Sequence, residues 1–218
     1  MDSIMNLFSN LQPLKFLDGW TVELNHLNSQ KNSKETVLLS LNNEKRNAAV
    51  EVLYQNSQYH VKVTDSQKKE TWAEDSTLDI ESLLVKLESV IWNVGSGILD
   101  NLKPFIQDPP NLLRLKIPEG WTIDYNTLKD TNPKTLGAED EAWLFDFNQD
   151  LLQISHKTKN LLLDVGWYPE GDPTGSYGIE LIKNEDWEHP LEDVMCEEPN
   201  ELVKQLDRIF MKELNNEY

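Results

Sequence analysis

Asp18-Gly19-Trp20-Thr21-Val22-Glu23-Leu24-Asn25-His26-Leu27 recurs, at a constant offset of 101 residues, as Glu119-Gly120-Trp121-Thr122-Ile123-Asp124-Tyr125-Asn126-Thr127-Leu128. In both stretches apolar and polar positions alternate after the glycine: Trp20, Val22 and Leu24 in the first, Trp121, Ile123 and Tyr125 in the second. A period of two is that of a half-buried strand, whose side chains point in turn to a packed and a solvated face. Further along, Leu39-Ser40-Leu41-Asn42 matches Phe145-Asp146-Phe147-Asn148, and Leu83 to Trp92 matches Leu202 to Met211 in apolar pattern. The order is kept and the offset grows, as insertions between common core elements would produce. Chance similarity around one Gly-Trp pair is the competing reading.

Within each half the period changes from two to about 3.6. The first half alternates at Trp20/Val22/Leu24, Val37/Leu39/Leu41, Ala48/Val50/Val52/Tyr54 and Tyr59/Val61/Val63, with turns at Asn43 to Asn47 and Asn56-Ser57-Gln58. From Asp79, placed as a cap, a helical stripe runs through Ile80, Leu83, Leu84, Leu87, Val90, Ile91 and Val94 to Gly95-Ser96-Gly97. The second half alternates at Trp121/Ile123/Tyr125, Trp143/Phe145/Phe147, Leu152/Ile154/His156, Leu161/Leu163/Val165/Trp167 and Tyr177/Ile179/Leu181. A helix from Asn200 then carries Leu202, Leu206, Ile209, Phe210 and Leu214. The expected fold class is α+β, built as two tandem repeats, each an antiparallel sheet of about four to five strands followed by a packed C-terminal helix. The expected domains are residues 1–97, with an N-terminal amphipathic segment, a Pro-containing linker over 98–114, and a more acidic second repeat over 115–218.

Charge narrows the partner. The 218 residues hold 20 Lys+Arg against 38 Asp+Glu, a formal net charge of -18. Residues 1–100 carry a net -5 (9 basic, 14 acidic) and residues 101–218 a net -13 (11 basic, 24 acidic). A nucleic-acid backbone or an anionic membrane is excluded as the main partner, and a basic protein is the natural complement. The bland alternative is that the charge serves solubility alone. A single cysteine, Cys196, and the absence of any Asn-x-Ser/Thr sequon fit a cytoplasmic protein. Met1-Asp2-Ser3 lacks a basic leader region, and Ile4, Met5, Leu7, Phe8 and Leu11 fall at helical spacing, which predicts a short amphipathic segment rather than a signal peptide.

The strong catalytic signatures are missing: no phosphate loop, no Gly-x-Ser-x-Gly elbow, no His-Glu-x-x-His helix. No catalytic residue, metal site or cofactor is assigned. The histidines, His26, His60, His156 and His189, are scattered. The densest polar stretch runs from Asp164 to Gly175 and resumes at Glu185-Asp186-Trp187-Glu188-His189. Glu170 and Asp172 have the residue types of an acid/base pair or of hard-cation ligands, but Gly171-Asp172-Pro173-Thr174-Gly175 also has the composition of a plain hairpin loop. Trp167, Tyr168 and Trp187, ringed by charge beside predicted loops, are the residue types that anchor protein interfaces. The alternative is that they close a small satellite core.

Gly19-Trp20-Thr21-Val22-Glu23-Leu24 and its repeat at Gly120 to Tyr125, Ser176-Tyr177-Gly178-Ile179-Glu180-Leu181, and Asp186-Trp187-Glu188-His189 ahead of an acidic, leucine-rich helix resemble small acidic immunity proteins of bacterial polymorphic toxin systems. The resemblance implies a cytosolic α+β protein that blocks a cognate toxin domain. The pieces come in a different order here, and the chain is about twice as long as the single-unit family they resemble. The expectation is therefore a non-enzymatic inhibitor of a basic toxin domain, contacting it through Trp167, Tyr168, Glu170, Asp172, Asp186, Trp187 and Glu188. A carboxylate-dependent hydrolase and a regulatory adaptor are the alternatives.

Overall fold

The computed structural model describes residues 2–31, 35–97 and 110–218. The chain divides into two compact units, Met1–Pro110 with Arg114–Trp121, and Asn111–Leu113 with Thr122–Tyr218.

In the first unit a short helix α1 (Asp2–Ser9) precedes strands β1 (Thr21–Asn25), β2 (Thr36–Asn43), β3 (Ala48–Gln55), β4 (Gln58–Asp65) and β5 (Thr71–Thr77), and helix α2 (Ile80–Gly95) closes it. Most of the alternating residues face inward as expected: Trp20, Val22, Leu39, Leu41, Val50 and Val52 are fully buried, whereas Leu24 is half-buried and Val37 exposed, because a register shift next to each breaks the alternation. Each such side chain contributes about 1.5–3 kcal/mol by leaving water. Asn56 and Ser57, both at positive φ (51° and 64°), form the two-residue turn between β3 and β4, the geometry that matches the strand twist. The Asp79 carboxylate accepts from the Ser82 amide at 2.8 Å and caps α2, which lies against β4 and β5. The Trp20 indole donates to the Ile91 carbonyl at 3.1 Å, so its one polar atom is satisfied inside the core.

The second unit contains β6 (Thr122–Asn126), α3 (Ala142–Phe145), β7 (Leu152–His156), β8 (Leu161–Tyr168), β9 (Ser176–Lys183), β10 (Glu192–Cys196) and α4 (Pro199–Leu214). Consecutive strands from β6 to β10 pair antiparallel, and α4 packs against β10. Glu192 on β10 is gripped by Arg208 and Lys212 of α4 and by the Tyr218 hydroxyl. Burial alone would raise the Glu192 carboxyl, but these three donors outweigh it and hold it down at about 2.

Among the described residues, all ten strands belong to one antiparallel sheet, in the order β10-β9-β8-β7-β6-β1-β2-β3-β4-β5. This corrects the expected fold of two tandem sheet-plus-helix repeats. Alternation fixes which side chains face a core, but it leaves both edges of a strand equally able to pair. The edge of β1 away from β2 is not free: the Val22 amide donates to the Trp121 carbonyl at 2.9 Å, and Gly120 donates to Val22 at 2.8 Å.

Three further expectations are corrected. Trp143, Phe145 and Phe147 do not form a strand, because α3 and the turn after it occupy that stretch. The strand that pairs with β6, as β2 pairs with β1, is β7, so the match of residues 39–42 to residues 145–148 fails. Two strands went unpredicted, β5 and β10, which stand at the two ends of the strand order. Of the expected linker, residues 98–109 lie outside the described residues. Its end is not slack: Arg114 clasps the buried Glu88 of α2 through two hydrogen bonds of 2.6 and 2.9 Å, and Glu88 also accepts from the Lys15 amide at 3.3 Å.

Local geometry recurs between the halves even so. Gly19 and Gly120 have φ of 88° and 90°, and β1 and β6 each carry a register shift, between Val22 and Leu24 and between Ile123 and Tyr125. Asn47 and Asn160 each end a single 3-10 turn in the left-handed conformation, with φ of 51°. Asparagine tolerates that region better than most residues, which explains the residue type at both positions.

Candidate functional site

The site is built on the second unit's strands. Along β8, Leu163, Val165 and Trp167 are buried, while Asp164 and Tyr168 alternate to the opposite face. The register continues that opposite face across four strands: Gln153 on β7 lies across from Asp164 on β8, Asp164 from Glu180 on β9, and Glu180 from Asp193 on β10. Cross-strand partners share a face with Cβ atoms about 4.5–5.5 Å apart, so three carboxylates stand in a row with no cation among them. Asp164 receives one neutral hydrogen bond, from Gln153 Nε2 at 3.1 Å.

The electrostatics follow from that crowding. Burial raises the Asp164 carboxyl, with the charge of Asp150 adding to the effect against the Gln153 hydrogen bond. Burial, then Asp193 and Asp164, raise Glu180. Like charges directly opposite each other cost roughly 0.2–1 kcal/mol per pair. A cationic partner would relieve that cost.

The equivalent row of the first unit shows what a balanced face looks like. Ser40 lies across from Glu51, Glu51 from Lys62, and Lys62 from Glu74, so a lysine separates two glutamates. At its β1 end Ser40 donates to Glu23 at 2.8 Å.

Beside the acidic row, the Tyr168 ring lies on β8 and β9. A Cβ at Gly166 would meet Tyr168 Cε2 and Oη at 2.8 Å, and one at Gly178 would meet Tyr168 Cδ2 at 3.0 Å and Met195 Sδ at 3.3 Å. Only glycines leave the ring room there. Its hydroxyl donates to the Gln149 carbonyl at 3.3 Å. Burial, then Asp164, Glu180 and Asp150, push the Tyr168 phenol upward. Tyr168 and Met195 remain 40% and 53% exposed, which makes them apolar surface next to the carboxylates.

The contact residues expected from the sequence do not come together. Trp167 is in the core, 1% exposed, stacked among Trp143, Phe147 and Tyr177 at centroid distances of 4.8 to 5.9 Å, with its indole N–H donating to the Asp172 carbonyl at 3.0 Å. It is removed from the contact set because a side chain so enclosed has no surface to offer. Glu170 is exposed in the β8–β9 turn. Asp172 is spent on that turn: its carboxylate accepts from the Thr174 amide and hydroxyl, both at 2.8 Å, which holds it below its ordinary value. Asp186, Trp187 and Glu188 are exposed in the β9–β10 connection, where the Asp186 carboxylate lies 3.2 Å from His189 Nδ1. The two turns lie at opposite ends of the eight-residue β9, about 25 Å apart at 3.3 Å per residue.

Sequence reasoning missed Glu180, Asp193, Gln153 and Tyr125. The signal was present in part, since Glu180 follows Tyr177-Gly178-Ile179 in a run that alternates, but the pairing that aligns it with Asp164 and Asp193 is long-range. It also missed the exposed pair Leu144 (70%) and Phe145 (69%) on α3, of which the expected strand had turned Phe145 inward.

Among the described residues, no group of three or more His, Cys, Asp and Glu is placed to hold a metal ion. No described helix is long and apolar enough to cross a membrane. Comparison with protein families, with curated proteins and with solved structures gives no match for this chain.

Proposed function

We propose that the protein is a non-enzymatic, acidic binding protein of the bacterial cytoplasm, an immunity or antitoxin-like inhibitor that covers a basic toxin domain with the open face of its second unit. The observation that carries this reading is the cation-free row Asp164, Glu180 and Asp193, set beside Tyr168 and Met195. Carboxylates on such a face steer a basic partner and pair with its Lys and Arg side chains, and the neighbouring apolar surface supplies the desolvated anchor. The net -13 of residues 101–218 extends the attraction beyond the contact itself.

The test is capture of partners from native host lysate with the tagged protein, washed at low and moderate salt, alongside Glu180→Gln/Asp193→Asn and Tyr168→Ala. The expected result is one basic, toxin-like protein that is lost with either variant and retained by Glu51→Gln on the first unit. Recovery that is unchanged in both second-unit variants would sink the assignment of this face.

A further inference from the structure

Next to the acidic row, on the second unit, is a concavity of about 370 Å3 lined by Tyr125, Asp150, Leu152, Gln153 and Asp164. That is the size at which small-ligand sites begin, about 300 Å3. The lining contains no Lys or Arg. Its polar groups are mostly acceptors: two carboxylates, the Tyr125 hydroxyl, which accepts from Thr127 at 3.4 Å, and the Gln153 amide, which donates one N–H to Asp164 and keeps its Oε1 as a further acceptor. Its one aromatic wall, Tyr125, is 41% exposed and faces the same cavity.

Three acceptors around a flat ring select the ligand. A guanidinium is planar, carries five N–H donors in a fixed fork, stacks on aromatic faces and sheds its water more readily than an ammonium. A compact ammonium would reach one carboxylate and keep most of its hydration. Asp164 is half-buried, so the ligand has to lose water to pair with it, and that favours the guanidinium.

We propose that this cavity is an arginine side-chain pocket: Asp164 and Asp150 accept from the guanidinium of one arginine of the basic partner, Gln153 Oε1 accepts a further N–H, and Tyr125 stacks on its plane. The proposal rests on the binding reading above and adds the identity of the residue that is recognised.

The experiment is a titration of the isotope-labelled full chain with Nα-acetyl-arginine methylamide, followed by nuclear magnetic resonance, with the Gln153 side-chain amide as the direct reporter. Saturable shifts are expected at that amide and at the backbone amides of Asp150 and Asp164. Asp164→Asn should weaken the response by about ten-fold, the loss of one charge-assisted hydrogen bond. The lysine analogue should bind several-fold more weakly than the arginine compound, and the neutral citrulline analogue should give no saturable shift. Absence of saturation with the arginine compound, an equal response to citrulline or lysine, or an unaffected Asp164→Asn would each overturn the pocket. The wider reading fails separately, since Glu180→Gln/Asp193→Asn leaves the cavity lining intact and is scored only by partner capture.

Discussion

Trp167 and Tyr168 are neighbours in the chain and opposites in role, because a strand sends successive side chains to opposite faces. Trp167→Ala should cost about 3–5 kcal/mol in urea denaturation, the scale of an emptied aromatic core position. Tyr168→Ala should cost far less and act instead on partner capture. Gly166→Ala is the sharper structural probe: its Cβ would fall 1.9 Å from the Gln149 carbonyl oxygen, which is backbone and cannot swing aside. Its loss of stability should reach or exceed the 1–3 kcal/mol typical of overpacking, about what a forced backbone shift costs. The alternation Leu161/Leu163/Val165/Trp167 already placed Trp167 among core residues in the sequence. What made it look like an anchor was the company of Asp164, Tyr168 and Glu170, but the pleat sends the first two to the other face and the third lies beyond the strand end. Trp143 and Phe147 misled for a related reason. Read at every second residue, they form a stripe with Phe145; folded as a helical turn, they meet at 4.7 Å and turn Phe145 outward.

The strand row and the helix clasp give opposite responses to pH. Asp164 and Glu180 are raised, chiefly by burial, so the folded chain holds their protons more tightly than the unfolded chain does. Their contribution favours the fold at low pH and is withdrawn as pH rises above the ordinary carboxylate value of about 4 through the raised ones. Asp164→Asn/Glu180→Gln should therefore melt above the wild type near neutrality, with the gap closing as pH falls through that window. Glu192 runs the other way. Held at about 2 against an ordinary 4.5, it stabilises above 4.5 and loses that contribution as pH falls toward 2, so the deficit of Glu192→Gln should shrink over the same fall. Elsewhere, Arg114→Ala would leave Glu88, 3% exposed, as a buried carboxylate without its main counter-charge, at a cost of about 3 kcal/mol in chemical denaturation. The sequence made α2 and α4 legible through their apolar stripes. It hid β5 and β10, since Thr71–Thr77 and Glu192–Cys196 each have a recorded neighbour on one side only and show no apolar alternation.

At the scale of the whole chain, 38 acidic side chains against 20 basic ones repel one another in the folded state. Raising sodium chloride from about 0.05 to about 0.5 M should raise the melting temperature by screening, and should slow association with a basic partner by the same physics. A melting point that falls with salt would show that ion pairs such as Arg114–Glu88 outweigh the repulsion. That one sheet carries all ten strands of the described residues was not legible, because edge pairing is decided by backbone groups that every sequence shares. Composition did reveal the bias of the field toward residues 101–218, since charge can be counted without knowing the pairing. The tryptophans are divided as well: Trp20, Trp72, Trp92 and Trp121 belong to the first unit, Trp143, Trp167 and Trp187 to the second. Of these, Trp143 and Trp167 sit 5.9 Å apart at 43°, close and skewed enough for their ultraviolet transitions to mix. The native circular-dichroism spectrum should then carry a paired band of opposite signs that distorts any helix content read from it, and that vanishes when the second unit alone loses its packing, giving the molecule an optical signal for half of itself.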